Sequence, residues 1–336
     1  MKSPVKAIIV CIVLVLVGWS GFWALGGSGL KTGFQAWFED RQKDGWVAEH
    51  QSMEAGGFPL TNKVTIQAPT LADPKTGIAW SASDITFQSP VYQPQKMQLR
   101  FPKTQKFATP RGQITLASRD LTADLQLVLS ENLGLSHAAI TGDALLITEA
   151  DGAQTSADHM LLTMDQADDA QTYNIQFTAK NLKPAQKHAK TLQKTRALPE
   201  FVETLQVTAQ IQFDRPWDLD AIEAKRPQPR VIDLSVAEAK WGDIQIKLAG
   251  RVTVDAKGIP TGPVQIKAEN WQTLLKAVKE SGTVPKDTLK VIEGVLTFAA
   301  RLYGSNESLD MPITFKKGLT FVGPIPAGPA PIIMLR

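Results

Sequence analysis

The chain has one cysteine, Cys11, set inside an apolar run, which excludes a disulfide within the chain and any metal site built on cysteine. Histidine is nearly as scarce. His50, His137, His159 and His188 are scattered without ligand spacing, and His159 falls on the polar parity of a strand. No excess of one charge is present either: 36 Lys and Arg stand against 33 Asp and Glu, dispersed along the sequence, and this excludes the basic footprint of a nucleic-acid binder. Catalytic signatures are missing as well. Gly18 to Phe22 and Gly26 to Leu30 both lack the last glycine of a nucleophile elbow. "GGSGLKT" at 26–32 lacks the glycine before lysine of a phosphate loop and follows an apolar run instead of a strand. Asp165, Asp168 and Asp169 lack the glycine and glutamate of a calcium loop and read as a polar hairpin turn. The expectation is a protein without catalysis, cofactor or metal.

What is present starts at the N-terminus. "MKSPVKAIIVCIVLVLVGWSGFWAL" carries Lys2 and Lys6 and then no charge from Ala7 to Leu25. As a helix that run extends about 28 Å, close to the hydrocarbon thickness of a bilayer. A cleaved secretory signal shares the order of lysines, apolar run and small residues, but the run is longer than a usual signal core, and Trp19, Phe22 and Trp23 sit where an interfacial belt belongs. Cys11 lacks a lipobox. Residues 1–28 are therefore expected to be a single-pass anchor or uncleaved signal, with the rest of the chain outside the cytoplasm. "GGSG" reads as a flexible spacer. Residues 29–46 read as an amphipathic juxtamembrane helix, with Leu30, Phe34, Trp37 and Phe38 on one face. That stripe fits packing on a sheet better than lying on the membrane surface.

From 47 to 336 the dominant period is two, so a β-rich extracytoplasmic domain is expected there. Phe58, Leu60, Val64 and Ile66 share one parity; so do Leu121, Ala123, Leu125, Leu127 and Leu129; so do Leu205, Val207, Ala209, Ile211 and Phe213. "GDIQIKLAGRVTVDAKGIPTGPVQIKAENW" at 242–271 reads as strand, turn, strand, turn, strand. "ITGDAL", "EADGAQ" and "DAKGIP" carry turn chemistry. The fold class is mainly β with a few helices: a large curved antiparallel sheet, apolar on one face and polar on the other, shaped like a taco or groove. An internal duplication is also expected, near 173–213 and 264–302. Each copy runs strand, asparagine (181 or 270), helix, proline (199 or 285), strand, the two being roughly 90 residues apart. Asn181 and Asn270 fit N-cap positions. The first helix is cationic, with Lys183, Lys187, Lys190, Lys194 and Arg196, which suits a solvated face or anionic lipid headgroups. In the second, Trp271, Leu274, Leu275 and Val278 form a stripe that packs on the sheet. The closing Pro/Gly segment is expected to run extended along the sheet edge.

The anchor, "LKTGFQAWFEDRQKDGW", "GGFPL", "LAGRVTVDAKGIPTGPVQIKAENW" and "FKKGLTFVGPIPAGPAP" together resemble the bacterial envelope proteins classed as domain of unknown function 2125, over nearly the whole chain. The turn and strand rhythm is distantly similar to AsmA-like envelope proteins, whose curved sheets are associated with lipid transport. The resemblance implies an envelope location, with the anchor in the inner (cytoplasmic) membrane and the main domain in the periplasm, and no catalytic residue. One-sided strands need a cover, and the few expected helices are too short to roof them all. The expectation is a groove for lipid or other amphipathic molecules, lined by Leu125, Leu127, Leu205, Val207, Ile211, Ile244, Ile246 and Leu248. Lys183, Lys187, Lys190 and Lys194 are the headgroup candidates; membrane lipids and other envelope proteins are the expected partners. The alternative is a non-enzymatic scaffold or protein-binding module with a closed core.

Overall fold

The computed structural model describes residues 4–129, 132–185, 199–223, 226–281, 293–294, 296–298, 300 and 308–335. The chain divides into two compact units, Met1–Gln126 and Leu127–Arg336, so the strands of the expected 47–336 domain fall into two groups.

The N-terminal unit begins with α1 (Pro4–Lys43), one helix of 40 residues. No break occurs at "GGSG". Glycine weakens a helix, but here its lack of a side chain is used: a Cβ on Gly26 would lie 2.7 Å from the Asn62 amide nitrogen, so the Asn62 side chain approaches the helix closely at this point. The helix ends in a Schellman closure, with the Gly45 amide donating to the Gln42 carbonyl and the Trp46 amide to that of Arg41. Gly45 takes the left-handed φ of 86° that the closure needs. Around its C-terminal half lie β1 (Val47–Glu49), β2 (Ser52–Gly56), β3 (Thr61–Gln67), β4 (Thr70–Asp73), β5 (Ile78–Ala82), β6 (Asp84–Pro90), β7 (Lys96–Arg100), β8 (Thr104–Thr109), β9 (Gly112–Ala117) and β10 (Asp120–Leu127). They pair antiparallel in the orders β2, β3, β6, β7, β10 and β1, β4, β5, β8, β9, so successive hairpins (β2–β3, β4–β5, β6–β7, β8–β9) alternate between the two ladders. At the β3 to β4 corner the turn is made by Ala68, at a φ of 47°. Phe38, Met53, Val64, Ile66 and Ile85 are buried, with Leu30, Phe34 and Trp37 of α1 packed against them. The amphipathic stripe is thus a core element. Phe58 and Leu60, which share the parity of Val64, are instead exposed in the connection before β3.

The C-terminal unit is an antiparallel meander: β11 (Leu135–Glu149), β12 (Gln154–Gln166), β13 (Thr172–Leu182), β14 (Val202–Phe213), β15 (Pro229–Trp241), β16 (Ile244–Val254), β17 (Pro260–Glu269), β18 (Ser308–Lys316), β19 (Leu319–Val322) and β20 (Ile325–Pro329). Each strand pairs with the next, giving a large open antiparallel sheet. The helices α2 (Leu219–Glu223) and α3 (Trp271–Ser281) belong to it, and residues 293–294, 296–298 and 300 are helical as well.

Several local expectations are corrected. "ITGDAL" lies within β11, where Ala144 takes a φ of 49°, and is not a turn. "LAGR" lies within β16, because a glycine at 250 lets β17 approach: a Cβ there would meet the Pro263 carbonyl oxygen at 2.5 Å. "EADGAQ" and "DAKGIP" do turn, the latter closed by the Lys257 and Ile259 amides on the Asp255 carboxylate. Asn181 lies within β13 and is not a cap, whereas Asn270 stands immediately before α3 with its carbonyl accepting from the Thr273 amide. Both adopt left-handed φ values, 51° and 53°, and both side-chain amides donate, Asn181 to Asp158 and Asn270 to the Asp243 carbonyl. The cationic helix expected after Asn181, with Lys187, His188, Lys190, Lys194 and Arg196, lies outside the described residues, as does Pro285, so the duplication is not traced beyond these asparagines. Beyond β20 the tail leaves the edge and crosses strand ends: the Ile333 amide donates to Gly258, and Leu335 exchanges two hydrogen bonds with the Gln228 side chain.

Candidate functional site

The meander aligns its apolar parity into continuous rungs. One runs Ile140, Leu162, Phe177, Val207, Ala237, Leu248, Ile266, Met311, a residue from each of eight successive strands, each opposite the next. The next rung toward one end includes Met164, Ile175, Ala209, Leu234, Gly250, Val264 and Ile313, and the next toward the other includes Met160, Ala179, Leu205, Ala239, Ile246, Ala268 and Leu309. Side chains on alternate positions point to one face of a sheet, so these residues form one apolar surface.

The cover over this surface is uneven. At the α3 end, Trp271 of α3 with Ala300 and Leu296 packs on Ala268, Leu309, Met311 and Ile246, while Leu274 reaches Ile244 and Trp241. The opposite end is closed by Tyr173, Phe213 and Trp217, with the Phe213 and Trp217 rings edge to face at 5.6 Å, and by Ala221 of α2. Tyr173 is fully buried and donates its hydroxyl to the Leu135 carbonyl; burial pushes its pKa up. Between the two ends, Leu162, Phe177, Val207, Leu234, Leu248 and Ile266 are only partly buried, and Ile140 is exposed. A patch of large aliphatic and aromatic side chains left partly accessible is unfavourable in water, at roughly 25 cal/mol per Å² of apolar surface, and is relieved by an apolar occupant.

The other face is polar and is paired across strands. His137 stands 2.6 Å from Asp165, His159 2.8 Å from Asp143, Lys240 3.1 Å from Glu203 and Lys247 3.5 Å from Glu238. Such pairs contribute little to stability individually but leave this face suited to water. The acidic turn after β12 is a hairpin: Asp169 accepts from the Gln171 amide, and hydrogen bonds from Thr172 and Gln171 hold its carboxyl below the usual range. At the α2 end, burial disfavours the Asp214 carboxylate, but the Gln228 amide, Arg230 and Arg215 outweigh burial and lower its pKa. No cluster of three or more metal-ligating side chains occurs among the described residues.

The expected lining residues separate into three groups. Leu205, Val207, Ile211, Ile246 and Leu248 lie on the apolar face, Ile211 between Tyr173 and Ile232. Ile244 shares their parity but is buried under Leu274 of α3, so it lines no open surface. Leu125 stands opposite Met97 in the N-terminal unit, and Leu127 ends the same strand, so neither joins the rungs. Among the headgroup candidates Lys183 is ion-paired with Glu200; Lys187, Lys190 and Lys194 lie outside the described residues. Sequence reasoning did not include Leu162, Phe177, Leu234 and Ile266 in the lining. Their signal was the same alternation, and what brought them in is the register between neighbouring strands.

No curated protein and no solved structure matches the chain. Residues 23–331 match the family model described as an uncharacterized protein conserved in bacteria, DUF2125, and since the match spans the second half of α1, both sets of strands and the closing Pro/Gly segment, the chain belongs to that family.

Proposed function

We propose that this is a non-enzymatic, membrane-anchored envelope protein that binds or passes lipid or another amphipathic molecule along the apolar face of its C-terminal sheet. The observation that carries the reading is the middle of that face: eight strands contribute apolar side chains to one rung, and most of them are left partly open between two covered ends. An acyl chain satisfies such a surface without any specific polar contact, and the covered ends bound its length. The anchor supports the same reading. The apolar part of α1 is long enough to cross a bilayer, and only 6% of its most apolar stretch is buried, which a packed core helix would not show. A single pass in the inner membrane with the sheets in the periplasm places this face where lipids are handled, and an AsmA-like role in envelope homeostasis fits the same architecture.

The test is photocrosslinking of the full chain in vesicles that contain a phospholipid carrying a diazirine on its acyl chain. The reading expects adducts at Phe177, Val207 or Leu248 in addition to those on α1, which serve as the internal control. Adducts confined to α1 would overturn it. They would favour the second reading, a scaffold with a closed face, for which the packing of Trp271, Leu275 and Leu296 on the sheet is the supporting observation.

A further inference from the structure

In the N-terminal unit, two connections without charged side chains sit side by side: Gly57–Leu60 between β2 and β3, and Val91 to Gln95 between β6 and β7. The Val91 amide donates to the Leu60 carbonyl at 3.0 Å and joins them. Their tips carry Phe58, Leu60 and Tyr92, which are 55%, 61% and 68% exposed. Three large side chains offered to water at one point are unfavourable unless something apolar receives them.

Their position along α1 says what receives them. The Trp19 indole donates to the Pro59 carbonyl at 2.8 Å, the Trp23 indole donates to the Thr61 carbonyl at 2.6 Å, and the Phe58 ring meets Trp23 edge to face at 5.3 Å. The first connection is therefore fixed at the level of Trp19 to Trp23, inside the run whose Leu14, Val15, Phe22 and Leu25 are exposed. Trp19 lies about 9 Å short of Leu25 along the helix axis. If α1 crosses the bilayer through this run, the tips are level with the zone where aromatic residues meet headgroups.

The backbone is also prepared for it. Lipid offers no partners to carbonyl groups. The Gly57 carbonyl accepts from the Thr61 amide and hydroxyl, that of Pro59 from Trp19, that of Leu60 from Val91 and that of Thr61 from Trp23. Exposed Lys63 and Lys96 follow on the adjoining strands, a charge sign that suits anionic headgroups.

We infer that the Gly57–Leu60 and Val91 to Gln95 connections form an interfacial wedge: Phe58, Leu60 and Tyr92 insert into the headgroup and upper acyl layer of the phospholipid bilayer beside α1. The wedge rests on α1 being the anchor and is independent of lipid carriage by the C-terminal sheet. It gives the N-terminal unit a second attachment to the membrane beside α1.

The test uses the full chain in a Cys11→Ser background, labelled with an environment-sensitive dye at one site per sample and reconstituted in vesicles of phosphatidylethanolamine and phosphatidylglycerol. The sites are Phe58→Cys, Tyr92→Cys, Val15→Cys as the span control, and Ile78→Cys as an exposed site on the strand β5. The wedge predicts a blue shift at both Phe58 and Tyr92, with loss of emission on adding lipid spin-labelled near the headgroup, and neither change at Ile78. Tyr92 lies apart from α1 in sequence and covers the case in which Phe58→Cys disturbs the Trp23 contact. Emission at Phe58 and Tyr92 that matches Ile78, with Val15 blue-shifted as a site deep in the acyl layer, overturns the wedge and leaves the anchor intact. A blue shift at Phe58 and Tyr92 without one at Val15 removes the anchor on which the wedge rests, and a blue shift at none of the three removes both.

Discussion

The two units use strands of the same kind and treat their apolar faces differently. In the N-terminal unit α1 lies on the sheet, and Val64 and Ile66 are almost wholly buried against Phe38 and its neighbours. In the C-terminal unit the equivalent parity, from Leu162 and Phe177 to Leu248 and Ile266, stays partly accessible between a corner covered by α3 and an end covered by Trp217 and α2. The difference teaches that alternation along a strand reports which side chains share a face, and that what lies on the face decides whether it is core or surface.

The contrast is open to measurement. The largest effect is expected for Phe38→Ala, which removes an aromatic ring from the sealed core and costs about 3–5 kcal/mol in equilibrium unfolding of the N-terminal unit. Val207→Ala, a truncation on the partly open rung, is expected to cost about 1 kcal/mol, since water already reaches the site and less cavity is created. A cost at Val207 equal to that of a sealed position would show a closed face. Asn270→Ala at a left-handed φ is expected to cost about 1–2 kcal/mol, and Asn270→Gly less, read from the unfolding midpoint. Smallest is a pH effect at Asp214. Its folded pKa lies below the ordinary 3.8, so its contribution is present above that value and is lost as pH falls through the lower folded value. Asp214→Asn should lower the stability of the C-terminal unit in the neutral region and converge with the wild type once pH falls below the folded pKa, as followed by circular dichroism across an acid titration.

Much of this was legible from residues. The period of two at 205–213 marks β14, and the stripe of Leu30, Phe34, Trp37 and Phe38 marks the packed half of α1. Other features had no local signal. Helix continuity through Gly26 to Gly29 runs against glycine's intrinsic preference, and the reason for a glycine at 26 is Asn62, distant in sequence, which takes the space of a Cβ. Ala68 gives no hint that it takes a left-handed φ and turns β3 into β4. Leu125 and Val207 look alike in sequence, but strand pairing puts the first opposite Met97 and the second between Phe177 and Ala237. The lining was therefore half readable: parity is local, while register and cover are properties of the fold.

The most direct measurement compares thiol accessibility on the two apolar faces of the folded full chain in a Cys11→Ser background. Phe177→Cys and Val207→Cys should react readily with a small maleimide and be protected by added phospholipid, while Val64→Cys and Ile66→Cys should react only on unfolding. Protection of all four positions to the same degree, with or without lipid, would contradict an open apolar face.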